Sequence, residues 1–250
     1  MSESEAARPA GASTGGSPRD LTSRAGDAAP RVLPAGDPDA LGAAISALRA
    51  GRLVAVPTET VYGVACLADA AAIERLLDAK RRPPSKGITL LVDDLEQAAS
   101  VGEFAPAARR LAARFWPGPL TLVVPVRAGV ALPASLTGDS GAIGLRVPDH
   151  VVPRALARAL GPLPLTSANL SGAPDARNAS EVVRQLGAAV AIVLDDGPSP
   201  GGVPSTVVRF AAGSGRPDLL REGALPFPAI LEAAGPSRTC RRPSRTCRRP

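Results

Sequence analysis

Short apolar runs alternate along this chain with longer amphipathic stretches, and that alternation limits the fold more than any other feature. Runs at 53–56 (LVAV), 88–92 (ITLLV), 120–126 (LTLVVPV), 142–148 (AIGLRVP), 162–168 (PLPLTSA), 190–196 (VAIVLDD) and 205–210 (STVVRF) read as strands. Between them lie stretches with helical spacing. In 40–50 the residues Leu41, Ile45 and Leu48 share one face, with Asp37 and Pro38 opening the helix and Gly51 after its end. In 70–80 Asp69 caps a stripe of Ile73, Leu76 and Leu77. Further helices are expected at 94–100, at 106–116 behind Pro106, at 151–160, at 180–187 and at 228–235. Strands and helices interleaved in this way predict an α/β fold. The sheet should be twisted and mixed, because several neighbouring strands have only loops between them.

Hydrophobic residues make up 45% of the 250, but aromatic ones only 2%, so the core is built from Ala, Val and Leu and few rings remain to stack nucleobases. The formal charge of +6 points toward nucleic acid until its position is considered. The last fifteen residues, PSRTCRRPSRTCRRP, hold six arginines and no acid, so the first 235 sum to zero. Residues 236–250 are a direct repeat with too few apolar groups to bury a core, and read as a disordered Arg-rich tail able to touch RNA weakly through phosphates. Residues 1–30 read as a flexible leader, leaving 31–235 as one domain. Cys240 and Cys247 belong to the repeat and Cys66 stands alone, which excludes a disulfide framework; with His150 the single histidine, no metal site is expected. No signal-peptide run and no bilayer-length apolar segment is present, so a cytoplasmic protein without membrane partners is expected.

The polar clusters fall where apolar runs stop. PTETVYG follows LVAV, KRRPPSKG precedes ITLLV, TSANLSG follows PLPL, and REG follows DLL. Strand ends are where α/β folds hold ligands, because a rigid sheet positions groups that would otherwise be mobile. Lys80, Arg82 and Lys86 crowd one turn with Pro83 and Pro84. Such a run is either a solvated face or a cradle for polyphosphate. Thr166, Ser167, Asn169 and Ser171 form either a helix cap or a dense set of hydrogen-bonding ligands. Neither a Walker A loop nor a dinucleotide-binding glycine motif occurs, and no nucleophile motif accompanies His150, which is read as structural. What remains is positive charge and hydroxyls, suited to holding anions together and to stabilising charge on phosphorus.

PTETVYG at 57–63, Lys80-x-Arg82-Pro83, WPGPLT at 116–121, GLRVPDH at 144–150, TSANLSG at 166–172, PSTVV at 204–208 and REG at 221–223 stand in the order found in the YrdC-like family. Over about residues 31–235 the chain resembles the threonylcarbamoyl-AMP synthases of that family, in their short, single-domain bacterial form. The resemblance implies an open twisted mixed sheet with flanking helices and a large basic-lined cavity. It also implies condensation of L-threonine, bicarbonate or carbon dioxide, and ATP to L-threonylcarbamoyladenylate and pyrophosphate, with magnesium accompanying the nucleotide. The product would pass to a tRNA threonylcarbamoyl transferase complex for the t6A modification at tRNA position 37. Carried onto this sequence, Lys80, Arg82 and Lys86 would hold ATP phosphates, Lys80 and Arg82 acting in catalysis. Thr121, Ser167, Asn169 and Arg221 would complete the nucleotide site. Thr58, Arg146 and Ser205 would receive threonine, and Tyr62 and Thr206 would line the same cavity.

Gly87 stands where many relatives have proline, and Leu91 where some longer ones have a threonine-contacting histidine. The additional C-terminal domain of longer relatives is replaced here by the Arg-rich repeat. An RNA-binding module of the same fold is the alternative reading; the scarcity of aromatic residues argues against it. A hydrogenase-maturation carbamoyl-transfer domain shares the fold but belongs to a much longer, cysteine-rich protein.

Overall fold

The computed structural model describes residues 29–83, 87–210 and 215–235. The Arg-rich repeat, all but the end of the leader, and Lys86 lie outside the described residues. In chain order the elements are β1 (Arg31–Pro34), α1 (Ala40–Arg49), β2 (Val54–Val56), β3 (Gly63–Ala65), α2 (Ala70–Lys80), β4 (Thr89–Leu91), α3 (Leu95–Val101) and α4 (Pro106–Phe115). There follow β5 (Leu120–Pro125), α5 (Ala134–Thr137) with a 3-10 turn at Gly138–Ser140, β6 (Ala142–Arg146), α6 (Val151–Leu160) and β7 (Leu163–Ser167). The last are α7 (Ala179–Leu186), β8 (Ile192–Asp195), β9 (Thr206–Arg209), β10 (Asp218–Arg221) and α8 (Phe227–Ala234).

All these strands join one mixed sheet in the order β1-β8-β2-β3-β7-β4-β6-β5-β9-β10. β2 and β3 form an antiparallel pair joined by Pro57–Tyr62, so the hydroxyl-rich stretch after LVAV is the connection of a hairpin. β4 runs parallel to β6, β5 parallel to β9, and β7 antiparallel to both β3 and β4.

Several helix starts follow their local chemistry. Asp69, Asp94 and Asn178 each accept a backbone N–H two or three positions into the following helix, at 2.8–2.9 Å, and Pro106 opens α4. α1 begins later than the sequence indicates, at Ala40, because Asp37 spends its carboxylate on the Asp39 N–H before the helix starts. α2 ends on Arg81, a non-glycine residue in the left-handed region (φ 50°), with Arg81 N–H donating to Asp78 O and Arg82 N–H to Leu77 O. This double closure reverses the chain within two residues. Lys80 is thereby left in the last turn of the helix, and Arg82 beyond it.

Successive strand residues alternate between two hydrophobic clusters. Ala55, Val64, Leu90, Leu122, Leu145, Val193 and Val208 pack with buried residues of α2, α3, α4, α7 and α8. Val54, Val56, Ala65, Leu163, Leu165, Ile192 and Leu194 pack with α1 and α6. On this second face α6 packs against β7 and β4, and the strands beyond them place Thr121, Gly144, Arg146 and Arg209 among Val123 and Val207. That bare stretch of sheet is the floor of a cavity.

Candidate active site

The cavity measures about 510 Å³, within the range of small-molecule sites. A row crossing the sheet supplies its floor: Leu165 pairs with Thr89, Thr89 with Gly144, Gly144 with Val123, and Val123 with Arg209. A Cβ on Gly144 would stand 3.4 Å from both Thr89 Oγ1 and Thr121 Cγ2, so the glycine keeps the centre of the floor low. Two residues along, Arg146 rises from the end of β6 and Ser167 from the end of β7. Walls come from the β2–β3 connection, from Arg82, Gly87 and Ile88 before β4, from the segment Ser135–Ser140, and from Pro204, Ser205, Leu220 and Arg221.

The hydroxyls are tied to the backbone before any ligand arrives. Thr58 Oγ1 donates to Val61 O at 2.6 Å and accepts the Thr60 and Val61 N–H groups, which closes the connection on itself. Arg146 donates through Nη2 to Glu59 Oε1 at 2.7 Å and Thr60 Oγ1 at 2.9 Å, and through Nε to Gly118 O at 3.2 Å. On the opposite wall Arg221 Nη2 donates to Ser205 O at 2.8 Å, and Ser205 Oγ lies 2.9 Å from Thr121 Oγ1. Gly223 permits this approach, since a Cβ there would fall 2.2 Å from Pro204 O.

Of the residues expected at the site, Thr58, Tyr62, Arg82 and Thr121 border the cavity, as do Arg146, Ser167, Ser205 and Arg221. Three others sit behind its wall. Lys80, only 1% exposed, gives its ammonium to Ser167 O, Asn169 O and, at 3.3 Å, Asn169 Oδ1. Asn169 is itself bound by Ser167 Oγ at 2.6 Å and donates to Ala173 O at 2.6 Å, so Lys80 and Asn169 shape the 167–173 loop that presents Ser167. Thr206 does not line the cavity: its hydroxyl donates to Leu225 O and accepts from Gly223 and Leu225 N–H, pinning the segment behind Arg221. Tyr62 borders the cavity, but its hydroxyl turns away to donate to Gly197 O at 2.7 Å. Burial pushes that phenol up to about 12, so it stays protonated.

The cations crowd one another. Burial, and then the neighbouring Arg82, push the Lys80 ammonium down to about 8, Asp175 acting in the opposite direction. Burial with Arg221 nearby lowers Arg82, whose Nε is buried and has no partner among the described residues. Burial also lowers Arg221, opposed by Asp175 and assisted by Arg146. A chain of positive groups short of counter-charge is the signature of an anion site. His150 takes no part in it. Its Nδ1 accepts the Val152 N–H at the start of α6 and its Nε2 meets Asp196 at 3.2 Å, which is the structural role expected of it. The buried Cys66 thiol is pushed up to about 12, chiefly by burial, and is no nucleophile.

Sequence reasoning missed Thr60, Thr89, Arg209 and the segment Ser135–Ser140. Arg209 had a readable signal, a charge at the end of an apolar strand two positions beyond Val207, on the parity that faces the floor. The segment Ser135–Ser140 had none, since it meets the cavity only through tertiary packing.

The family model for Sua5, YciO and YrdC, described as "Telomere recombination", matches residues 46–223. The chain belongs to the Sua5/YciO/YrdC family. A member named threonylcarbamoyl-AMP synthase in Bacillus subtilis is 37% identical over 207 residues, 82% of this chain and 59% of that protein. One named putative threonylcarbamoyl-AMP synthase in Mycobacterium tuberculosis H37Rv is 39% identical over 194 residues, 77% of this chain and 88% of that one. The crystal structure of the Sua5 protein of Pyrococcus abyssi complexed with L-threonine superposes with a TM-score of 0.72 at 35% identity, covering 78% of this chain and 57% of that one. The chain thus spans less than two thirds of the Bacillus and Pyrococcus proteins. The twisted mixed sheet with flanking helices is the architecture of the Sua5/YciO/YrdC structures. Among the described residues no helix is long and apolar enough to cross a membrane.

Proposed function

We propose that this protein is an L-threonylcarbamoyladenylate synthase, condensing L-threonine, bicarbonate or carbon dioxide, and ATP to threonylcarbamoyl-AMP and pyrophosphate. The observation that carries the reading is the convergence of Arg82, Arg146 and Arg221, from three separate segments, on one hydroxyl-lined cavity. The Pyrococcus relative's threonine complex and the names of the relatives supply the substrate class.

Arg82 and Arg221 hold the triphosphate, with Ser167 and Thr121 as hydrogen-bonding partners. Arg146 takes the threonine carboxylate beside Thr58 and Ser205. The threonine amine attacks carbon dioxide in its neutral form and releases a proton to solvent, giving a carbamate. A carbamate oxygen then attacks the α-phosphorus, the bond from that phosphorus to the β-phosphate oxygen breaks, and pyrophosphate leaves. The protein's contribution is to hold the reactants in one place and to present fixed positive charge to the phosphoryl oxygens.

Among the described residues no group of three or more His, Cys, Asp or Glu could hold a metal ion. Magnesium enters as part of the nucleotide substrate. The product is a reactive acyl adenylate and needs an acceptor, which we assign to a tRNA threonylcarbamoyl transferase complex.

Incubating the purified protein with ATP, bicarbonate and L-threonine should yield threonylcarbamoyl-AMP by mass spectrometry, with one pyrophosphate per product. Folded protein that forms neither refutes the assignment.

A further inference from the structure

Arg82, Arg146 and Arg221 are not equivalent in the cavity they share with Arg209, and the difference lies in Glu59. Its Oε1 sits 2.7 Å from Arg146 Nη2, with side-chain exposures of 7% for the arginine and 16% for the glutamate. The second Nη2 hydrogen goes to Thr60 Oγ1 and the Nε hydrogen to Gly118 O. A guanidinium has five N–H donors in a rigid plane, and these three bonds fix both its position and its rotation. Among the described residues none accepts from Nη1, so its two hydrogens are the ones left for a ligand. Glu59 Oε2 is buried without a partner and is not at the cavity surface. The carboxylate therefore acts on a ligand through Arg146 and not by touching it.

Among the described residues neither Arg82 nor Arg221 forms such an ion pair. Arg82 donates to Gly87 O and Arg221 to Ser205, all neutral groups, and each is lowered by burial and by a neighbouring cation. One end of the cavity thus carries two guanidinium charges without a direct ion pair among the described residues, Asp175 opposing Arg221 from beyond ion-pair distance, and the other a guanidinium in contact with a carboxylate. A polyphosphate prefers the first end on electrostatic grounds, whereas a single carboxylate can use the oriented Nη1 pair at the second.

We propose that Glu59 is a positioning and specificity-determining residue: it fixes Arg146 for the amino-acid carboxylate and, by cancelling its charge, keeps phosphate away from that end of the cavity. The inference rests on the reading of the site as a synthase.

Isothermal titration with L-threonine and, separately, with inorganic tripolyphosphate tests it on wild type, Glu59→Gln and Thr60→Val. Glu59→Gln should weaken threonine roughly tenfold or more, the effect of losing a charge-assisted bond in an excluded site, while tripolyphosphate binds several-fold more tightly. Thr60→Val removes an Nη2 anchor without changing charge, and should weaken threonine with no gain for tripolyphosphate. A merely structural Glu59 would weaken both ligands together, and that result, or unchanged binding of both by Glu59→Gln, overturns the proposal. If wild type bound tripolyphosphate but no threonine, the synthase reading itself would fall, and this inference with it.

Discussion

Lys80→Met separates two uses of the same ammonium. The substitution keeps most of the apolar stem and deletes the charge. The ammonium is buried and satisfied by Ser167 O, Asn169 O and Asn169 Oδ1. Its pKa falls from 10.5 to about 8, which means that burial disfavours the charged form by about 3 kcal/mol at neutral pH. Against this stand three hydrogen bonds from a charged donor, at roughly 1.5–3 kcal/mol each, whose loss would also leave buried carbonyls unpaired. The bonds outweigh the relief, and Lys80→Met should lower stability by about 3 kcal/mol, within a range of roughly 1–6.

Were the ammonium instead held for a phosphate and idle otherwise, deleting it would only remove a buried charge, and the protein would become more stable. Urea denaturation at pH 7, read by circular dichroism, gives the sign directly. Tripolyphosphate binding, measured alongside, should also weaken, because the 167–173 loop loses its tie and Ser167 is presented less well. A variant as stable as wild type or more so, with anion binding lost, would refute the assignment of Lys80 to the loop and restore it to direct phosphate contact.

The same pKa sets a pH dependence with two opposite signs. Between about 8 and 10.5 the unfolded chain holds a proton on Lys80 that the folded protein has shed, so this group's contribution to stability rises with pH across that window. An anion in the cavity favours the charged ammonium, so tripolyphosphate affinity should fall as pH rises through about 8, by at most about tenfold per unit; titrations at pH 7, 8 and 9 measure it. Gly223→Ala would drive a Cβ into the backbone of Pro204 and Ser205, and should cost about 1–3 kcal/mol in thermal denaturation while displacing Arg221 and weakening tripolyphosphate. Arg81→Gly, at the left-handed end of α2 and outside the cavity, should raise stability by roughly 1 kcal/mol in urea denaturation and leave threonine binding unchanged.

Much of this fold was legible because its local signals agree. Asp69, Asp94 and Pro106 mark helix starts, and the runs LTLVVPV and VAIVLDD became β5 and β8, each paired on both sides. β1 and β3 were not legible: Arg31–Pro34 ends in a proline, and Gly63–Ala65 is three residues opened by a glycine, so neither carries a period. Their strand character comes from pairing with β8, β2 and β7. At the site, motif order found the segments, but spacing could not say which way a side chain points. Lys80 and Arg82 are two residues apart, and the reversal at Arg81 sends one into the protein and the other to the cavity. Ser205 immediately precedes β9 and borders the cavity, whereas Thr206, the first residue of the strand, turns its hydroxyl behind it. The cavity side of β5, β6 and β9 is written as Thr121, Val123, Gly144, Arg146, Val207 and Arg209. It gains meaning only once the register is known.

The cavity is under electrostatic load. Lys80 is pressed by Arg82, Arg82 by Arg221 and Arg221 by Arg146, while Asp175 and Glu59 are the carboxylates set against them. A first anion relieves that load and so binds more strongly than any one contact would allow. A second anion meets a field already partly spent. For a synthase this favours the triphosphate at the Arg82–Arg221 end, and it makes an amino acid's carboxylate depend on the geometry of Arg146 more than on its charge. The same field resists the departure of pyrophosphate, which leaves with most of the negative charge that brought ATP in. Turnover should therefore slow with added pyrophosphate more than with added adenosine, because what the cavity recognises most strongly is phosphate charge.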